Sequence, residues 1–240
     1  MLYCCAGHPG HLDPRHYRGI MQGRDMASSR WGELLLVVAV AFGLLIWSST
    51  SALVSGDIAG SFSEDGLWSM LLYELLVMAL LLPVLWYRGW RPLALGLRWQ
   101  RRDPWPGIGL MFACVLACYP LKWLDGFMAE GMNPSMDAMV SGQLSLAAIV
   151  AISLVNPVFE EVFVCAYVIR AVERTHSRAV AVNVSVAIRA SYHLYQGPVG
   201  ALSLVVVGLI LGWWFARTGR LWPAIIAHGL MDLIALLAYA

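Results

Sequence analysis

From residue 34 onward the chain alternates long apolar runs with short polar connections. The runs cover 34–53, 67–87, 107–124, 144–171, 179–195, 199–216 and 221–239. Each is near the roughly 20 residues that cross a bilayer as a helix. The pattern therefore predicts an all-α, polytopic membrane protein with about seven transmembrane helices. The fourth run is overlong and contains Pro157. A proline inside a helix removes one backbone bond and bends the axis, which predicts a kink just ahead of Glu160 and Glu161. Residues 56–66 and 126–142 read as loops, the second marked by Asn133-Pro134. Residues 1–30 are polar, rich in Gly, Pro, His and Arg, and lack the apolar core of a signal peptide. They predict a disordered tail ahead of a single transmembrane helical domain over 31–240. Met21 and Met26 stand just before the first run, so a start of translation at either would remove most of that tail.

Composition agrees with the pattern. Hydrophobic residues make up 60% of the chain and charged residues only 13%, against roughly 25% charged in a soluble domain. The net charge of +1 argues against a nucleic-acid footprint. The bilayer is the expected partner. Cys4, Cys5, Cys114, Cys118 and Cys165 show no C-x-x-C spacing, so no disulfide framework or structural zinc module is legible. Cys4, Cys5, His8, His11 and His16 form a denser group that could be read as a metal-binding tail, without apolar or helical context to support it.

Where the cations collect predicts the orientation. Arg15, Arg18, Arg24 and Arg30 precede the first span, and Arg88, Arg91, Arg98, Arg101 and Arg102 follow the second. Arg174 and Arg178 follow the fourth, and Arg217 and Arg220 the sixth. The alternate connections are acidic or neutral: Asp57, Glu64 and Asp65 after the first span, Asp125, Glu130 and Asp137 after the third. The N-terminus is therefore expected in the cytoplasm and the C-terminus outside, in the cell membrane. Trp86, Trp90, Trp99 and Trp105 gather around the basic second loop, where a headgroup-level aromatic belt is expected.

Three polar clusters break the apolar spans. Glu160-Glu161 lies on the fourth, Arg189 to His193 on the fifth, and His228 to Asp232 on the seventh. A carboxylate at membrane depth costs about 2.5–3.5 kcal/mol even on the lenient insertion scale, so such groups need partners. The i, i+4 spacing of the last two clusters puts both ionisable side chains on one helix face. Measured from the cytoplasmic side at about 1.5 Å per residue, Glu160 lies roughly 18 Å deep, His193 roughly 21 Å, Asp232 roughly 16 Å and His228 roughly 10 Å. The clusters are thus expected to converge on one buried site.

A carboxylate beside an imidazole is the minimum for activating water. The Glu accepts the proton, and the His positions the nucleophile or holds a metal. A second His with an Asp can hydrogen-bond an oxyanion or complete a metal shell. Glu160, His193 and His228 would also match the two-His, one-carboxylate set of hydrolytic zinc sites. Both roles stay open, as does a proton or ion relay in a transporter, although the seven spans show no inverted repeat.

Glu160-Glu161, then His193, then His228-x-x-x-Asp232, each on its own span, resembles the CPBP family of intramembrane proteases. That family includes the type II CAAX prenyl endopeptidases and the bacterial Abi proteins. Its pattern is E-E-x-x-x-R, then F-x-x-x-H, then H-x-x-x-N or D, and the likeness covers 144–239. Tyr192-His193-Leu194-Tyr195-Gln196-Gly197 also resembles the second-motif region of bacterial members. The resemblance implies an endopeptidase acting on a peptide or protein substrate at the membrane. It implies Glu160 as general base, His193 as its partner, and His228 with Asp232 as stabilisers of the transition state. Glu161 completes the catalytic set, and zinc is the metal implied if one is used.

The chain departs from the pattern twice. Cys165 stands where the family has the Arg of the first motif, and Arg189 stands where the second has Phe. One expectation covers both: the cation has moved to the next span, where Arg189 neutralises Glu161. Loss of the first-motif Arg also keeps open a noncatalytic, immunity-type protein with the same fold.

Overall fold

The computed structural model describes residues 30–56, 62–125, 127 and 134–240. The predicted tail, with Cys4, Cys5, His8, His11, His16, Met21 and Met26, lies outside the described residues, as does Asn133.

The described chain is almost entirely helical. In order come α1 (Arg30–Ser55), α2 (Glu64–Tyr87), α3 (Pro104–Cys118), the short α4 (Leu121–Asp125) and α5 (Met136–Met139), then α6 (Leu146–Glu160). A π-helical stretch, Glu161–Tyr167, follows directly and leads into α7 (Val168–Val172). Then come α8 (Arg178–Ser191), α9 (Gly197–Thr218) and α10 (Trp222–Leu236). Two two-residue strands, β1 (Phe62–Ser63) and β2 (Val140–Ser141), pair in parallel with Phe62 opposite Val140.

Local chemistry starts and stops these helices. Ser63, Ser145 and Ser177 cap α2, α6 and α8, each side chain accepting from a backbone N–H three residues on. Pro104, Pro198 and Pro223 sit in the first turns of α3, α9 and α10, where no helical N–H partner is lost. Gly219, at φ +67°, closes α9 in the left-handed conformation.

Five helical stretches are long and apolar enough to cross a membrane: Trp31–Ser55, Glu64–Tyr87, Leu146–Val172, Leu194–Thr218 and Trp222–Tyr239. The other two of the seven predicted spans are shorter. Pro120 divides the run 107–124, so α3 ends at Cys118 after 15 residues and α4 follows a turn. In the run 179–195 the helix ends at Ser191 after 14 residues.

The Leu146–Val172 stretch is the centre of the molecule. Its most apolar window is 67% buried, whereas the other four lie between 22% and 33%. Around Phe159, Phe163 and Ile169 pack Phe42 of α1, Leu81 and Leu85 of α2, Val182 of α8 and Phe215 of α9. The outward faces of α1 and α2 show Leu35, Leu36, Leu72, Leu76 and Leu80. That is the arrangement expected when lipid replaces water outside and the polar groups are collected within.

α6 runs through Pro157, and the irregular geometry begins at Glu161, whose N–H donates to the carbonyls of Pro157 and Val158. The four tryptophans divide. Trp86, Trp99 and Trp105 are exposed, but Trp90 is buried. Trp90 Nε1 donates to Glu33 at 2.8 Å, and its ring packs edge-on against Tyr167 at 4.9 Å between centroids. Glu33 also accepts from Arg88 Nε at 2.8 Å and Tyr167 Oη at 3.1 Å, which ties α1 and the end of α2 to the π-helical stretch.

Candidate active site

Glu160 is the last residue of α6 and Glu161 the first of the π-helical turn. π turns appear mostly as short insertions at functional sites, and here all seven residues of the turn are buried. The two carboxylates meet one guanidinium. Arg189 Nη2 donates to Glu161 Oε1 at 2.6 Å, and Nη1 donates to Glu160 Oε2 at 3.3 Å. Arg189 is fully buried on the last turn of α8. Gly208 of α9 leaves the room it needs, since a Cβ there would stand 3.3 Å from Arg189 Cδ. Cys165, at the place of the family's first-motif Arg, is buried beside this pair.

Each carboxylate has a second donor. Tyr192 Oη donates to Glu160 Oε2 at 2.8 Å, and the tyrosine ring is stacked on Phe42 at 4.8 Å. His228 Nδ1 lies 2.9 Å from Glu161 Oε1, and its Nε2 lies 3.6 Å from Asp232 Oδ2 one turn along α10. A carboxylate at each ring nitrogen fixes the orientation of the imidazole. α10 reaches this close to α6 because residue 229 is glycine. A Cβ there would fall 2.7 Å from the Ser153 carbonyl oxygen.

His193 stands off the helix expected to carry it. α8 ends at Ser191, and Leu194–Gln196 form a 3₁₀ turn, so His193 lies in the connection. The predicted i, i+4 link survives in another form, with His193 Nδ1 2.9 Å from the carbonyl oxygen of Arg189. A carbonyl only accepts, so Nδ1 carries the hydrogen and Nε2 presents a lone pair. Among the described residues His193 makes no hydrogen bond to Glu160. The structure thus brings Glu160, Glu161, Arg189, His228 and Asp232 into one linked network, with His193 joined to it through the Arg189 backbone.

The expected zinc set fares differently. Among the described residues no group of three His, Cys, Asp or Glu side chains is gathered closely enough to hold a metal ion. Arg189 lies against Glu160 where a cation would otherwise stand. Glu160, His193 and His228 do not fit a metal centre in this arrangement.

Two participants were not singled out from the sequence. Tyr192 had no signal apart from its place beside His193. Glu74 did have one, a lone carboxylate midway along the apolar run 67–87. It is fully buried on α2, and neither of its oxygens has a hydrogen-bond partner.

No curated protein and no solved structure matches the chain. A family model does, over residues 142–234: type II CAAX prenyl endopeptidase Rce1-like. The matched stretch runs from just before α6 into α10 and holds every residue of the network around Arg189. Over this stretch, and through these residues, the chain is similar to the type II CAAX prenyl endopeptidases.

Proposed function

We propose that the protein hydrolyses a peptide bond of a membrane-associated substrate through a water activated by Glu160 and His193. The observation that carries this reading is the placement of the Glu160 oxygens. Both of its hydrogen bonds fall on Oε2. Oε1 is not among the fully enclosed, unbonded oxygens, whereas Glu161 Oε2 is. Glu160 therefore has an acceptor to offer a water, and Glu161 is closed in as a structural and orienting group.

In this mechanism the water oxygen bonds to the scissile carbonyl carbon while a proton passes to Glu160 Oε1. His193 Nε2 accepts a hydrogen bond from the water's other O–H, which stays on the oxygen, and fixes the direction of attack. The charge that develops on the carbonyl oxygen is met by His228 Nε2–H, while Nδ1 is committed to Glu161. Asp232, when ionised, accepts only, so it orients His228 rather than contacting the oxyanion. The arginine distribution of the connections supports a cytoplasmic N-terminus and an external C-terminus.

The test is cleavage of a membrane-peptide library by purified protein in liposomes, with products identified by mass spectrometry. Wild type is expected to cleave and Glu160→Gln to lose the activity. Equal cleavage by both proteins, or none by wild type, overturns the reading.

A further inference from the structure

Arginine collects at one end of the helix bundle, where α1 begins, α2 and α9 stop and α10 starts. Among the described residues, each carboxylate at this end already has its cation. Glu33 accepts from Arg88 at 2.8 Å, Glu173 from Arg170 and Arg178 at 3.0 and 3.3 Å, and Asp103 from Arg220. That leaves Arg91, Arg98, Arg101, Arg102 and Arg217, all exposed and, among the described residues, without a carboxylate partner. The opposite end, where Glu64 meets Ser145, exposes Asp65 and Asp137 instead.

The connection between α2 and α3, which carries four of these arginines, is fastened to the start of α10. The Leu97 carbonyl oxygen accepts from Trp222 Nε1 at 3.0 Å, and the Gly96 carbonyl oxygen accepts from the Leu221 N–H at 3.0 Å. Asp103 Oδ2 accepts from the Gln100 N–H at 2.6 Å, which closes the turn bearing Arg101 and Arg102, while Oδ1 holds Arg220. These bonds also bring the connection beside Arg217, three residues before Arg220. Two of the cations are braced by rings: Arg91 Cζ lies 4.2 Å over Trp86, and Arg217 Cζ lies 5.0 Å over Trp213. A surface fixed in this way loses little freedom when it binds a partner.

We propose that the connection 88–103, together with Arg217, is a binding surface for the headgroups of anionic phospholipids. A guanidinium fork matches two phosphate oxygens at once. A zwitterionic headgroup answers its own phosphate with its own cation, whereas an anionic one leaves that charge for the protein. Exposed Trp86, Leu93, Trp99 and Trp105 stand among the arginines. A soluble acidic partner would gain nothing specific from those apolar side chains. At the end of a membrane-spanning helix they lie at headgroup depth, where an indole ring is at home between headgroups and acyl chains. The proposal is independent of the peptidase reading, since no residue of the Arg189 network takes part.

The deciding experiment counts retained lipids. Full-length protein is placed in nanodiscs of equal phosphatidylglycerol and phosphatidylcholine with matched acyl chains, and the lipids that stay bound on release are identified by native mass spectrometry. Wild type is expected to retain phosphatidylglycerol over phosphatidylcholine by at least about fivefold, the effect of a single arginine at an anionic surface. The triple variant Arg98→Gln, Arg101→Gln, Arg102→Gln is expected to bring that ratio close to one. A pair of single variants separates the surface from overall charge. Arg101→Gln is expected to lower the ratio, whereas Arg178→Gln, which removes the same charge from an arginine engaged by Glu173, is expected to leave it unchanged. Equal retention of the two lipids by wild type, a wild-type ratio in the triple variant, or equal losses in the two single variants overturns the proposal. Wild type alone supplies a check that no folding defect can obscure: at about 1 M salt, where charges are screened beyond about 3 Å, the ratio is expected to fall toward one, and a ratio that persists overturns the proposal. Inorganic phosphate at the concentration of the lipid is expected not to displace it. Displacement would assign the surface to free phosphate and overturn the lipid.

Discussion

Arg189 Nη2 stands 2.6 Å from Glu161 Oε1, with both side chains enclosed by protein. The partners come from α8 and from the π-helical turn, so the ion pair joins the two stretches that carry Glu160 and His193. This guanidinium serves both Glu160 and Glu161, and it arrives from a neighbouring helix.

Removing it leaves two buried carboxylates without their cation, a loss that typically costs about 3–5 kcal/mol. Arg189→Leu is expected to lower the unfolding temperature in detergent sharply. Cys165→Arg combined with Arg189→Phe, which restores the family's usual arrangement, is expected to recover much of that loss. An Arg189→Leu protein as stable as wild type would contradict the pairing.

Glu160 and His193 are proposed to act on one water, so their losses should not add. Glu160→Gln and His193→Ala are each expected to remove nearly all cleavage while leaving inserted, folded protein. The double variant is expected to be little worse than either. Multiplying losses, measured as kcat/KM, would separate the two residues.

Because three ligands are not gathered at one point, activity is expected to persist after exhaustive chelation. Metal analysis of active protein is expected to find well under one equivalent of zinc. Stoichiometric zinc that disappears in His228→Ala would show that the ligands rearrange around a metal.

Gly229 sets the distance between α10 and α6. Gly229→Ala drives a methyl group toward the Ser153 carbonyl, an overpacking that typically costs about 1–3 kcal/mol. It is also expected to lower activity, because His228 and Asp232 flank that contact. Unchanged thermal unfolding would mean that the helices separate freely there.

The site was legible where charge intruded on an apolar run. Glu160, Glu161, His228 and Asp232 declared themselves that way, and the missing first-motif Arg made Arg189 worth following. Glu74 is the same kind of signal, but a single acid without a paired neighbour or a motif does not by itself mark a site. The helix ends were harder. Tyr192 to Gln196 continues the apolar character of α8, so the stop at Ser191 was hidden, although Gly197-Pro198 marks a break a few residues later. Pro120 signalled the end of α3 but was outweighed by the apolar residues on either side. Trp90 shows the limit of assigning tryptophans to the headgroup region by position alone. Its partner Glu33 is 57 residues away in sequence, and composition does not encode that meeting.

The seven-residue π stretch also changes the angular phase of the helix that contains it. An α-helix advances by about 100° per residue, and a wider turn takes up one residue more. Side chains before and after Glu161 therefore belong to two stripes, although the sequence prints them as one continuous motif. Glu160 keeps the phase of Ser153 and Asn156 and takes Tyr192 as its further donor, Glu161 opens the second phase and meets His228, and Arg189 bridges the two. Adjacent glutamates thus share one guanidinium while each takes a further donor of its own, without a break in the chain, and the residues that follow the stretch stand on a stripe turned away from the one that precedes it.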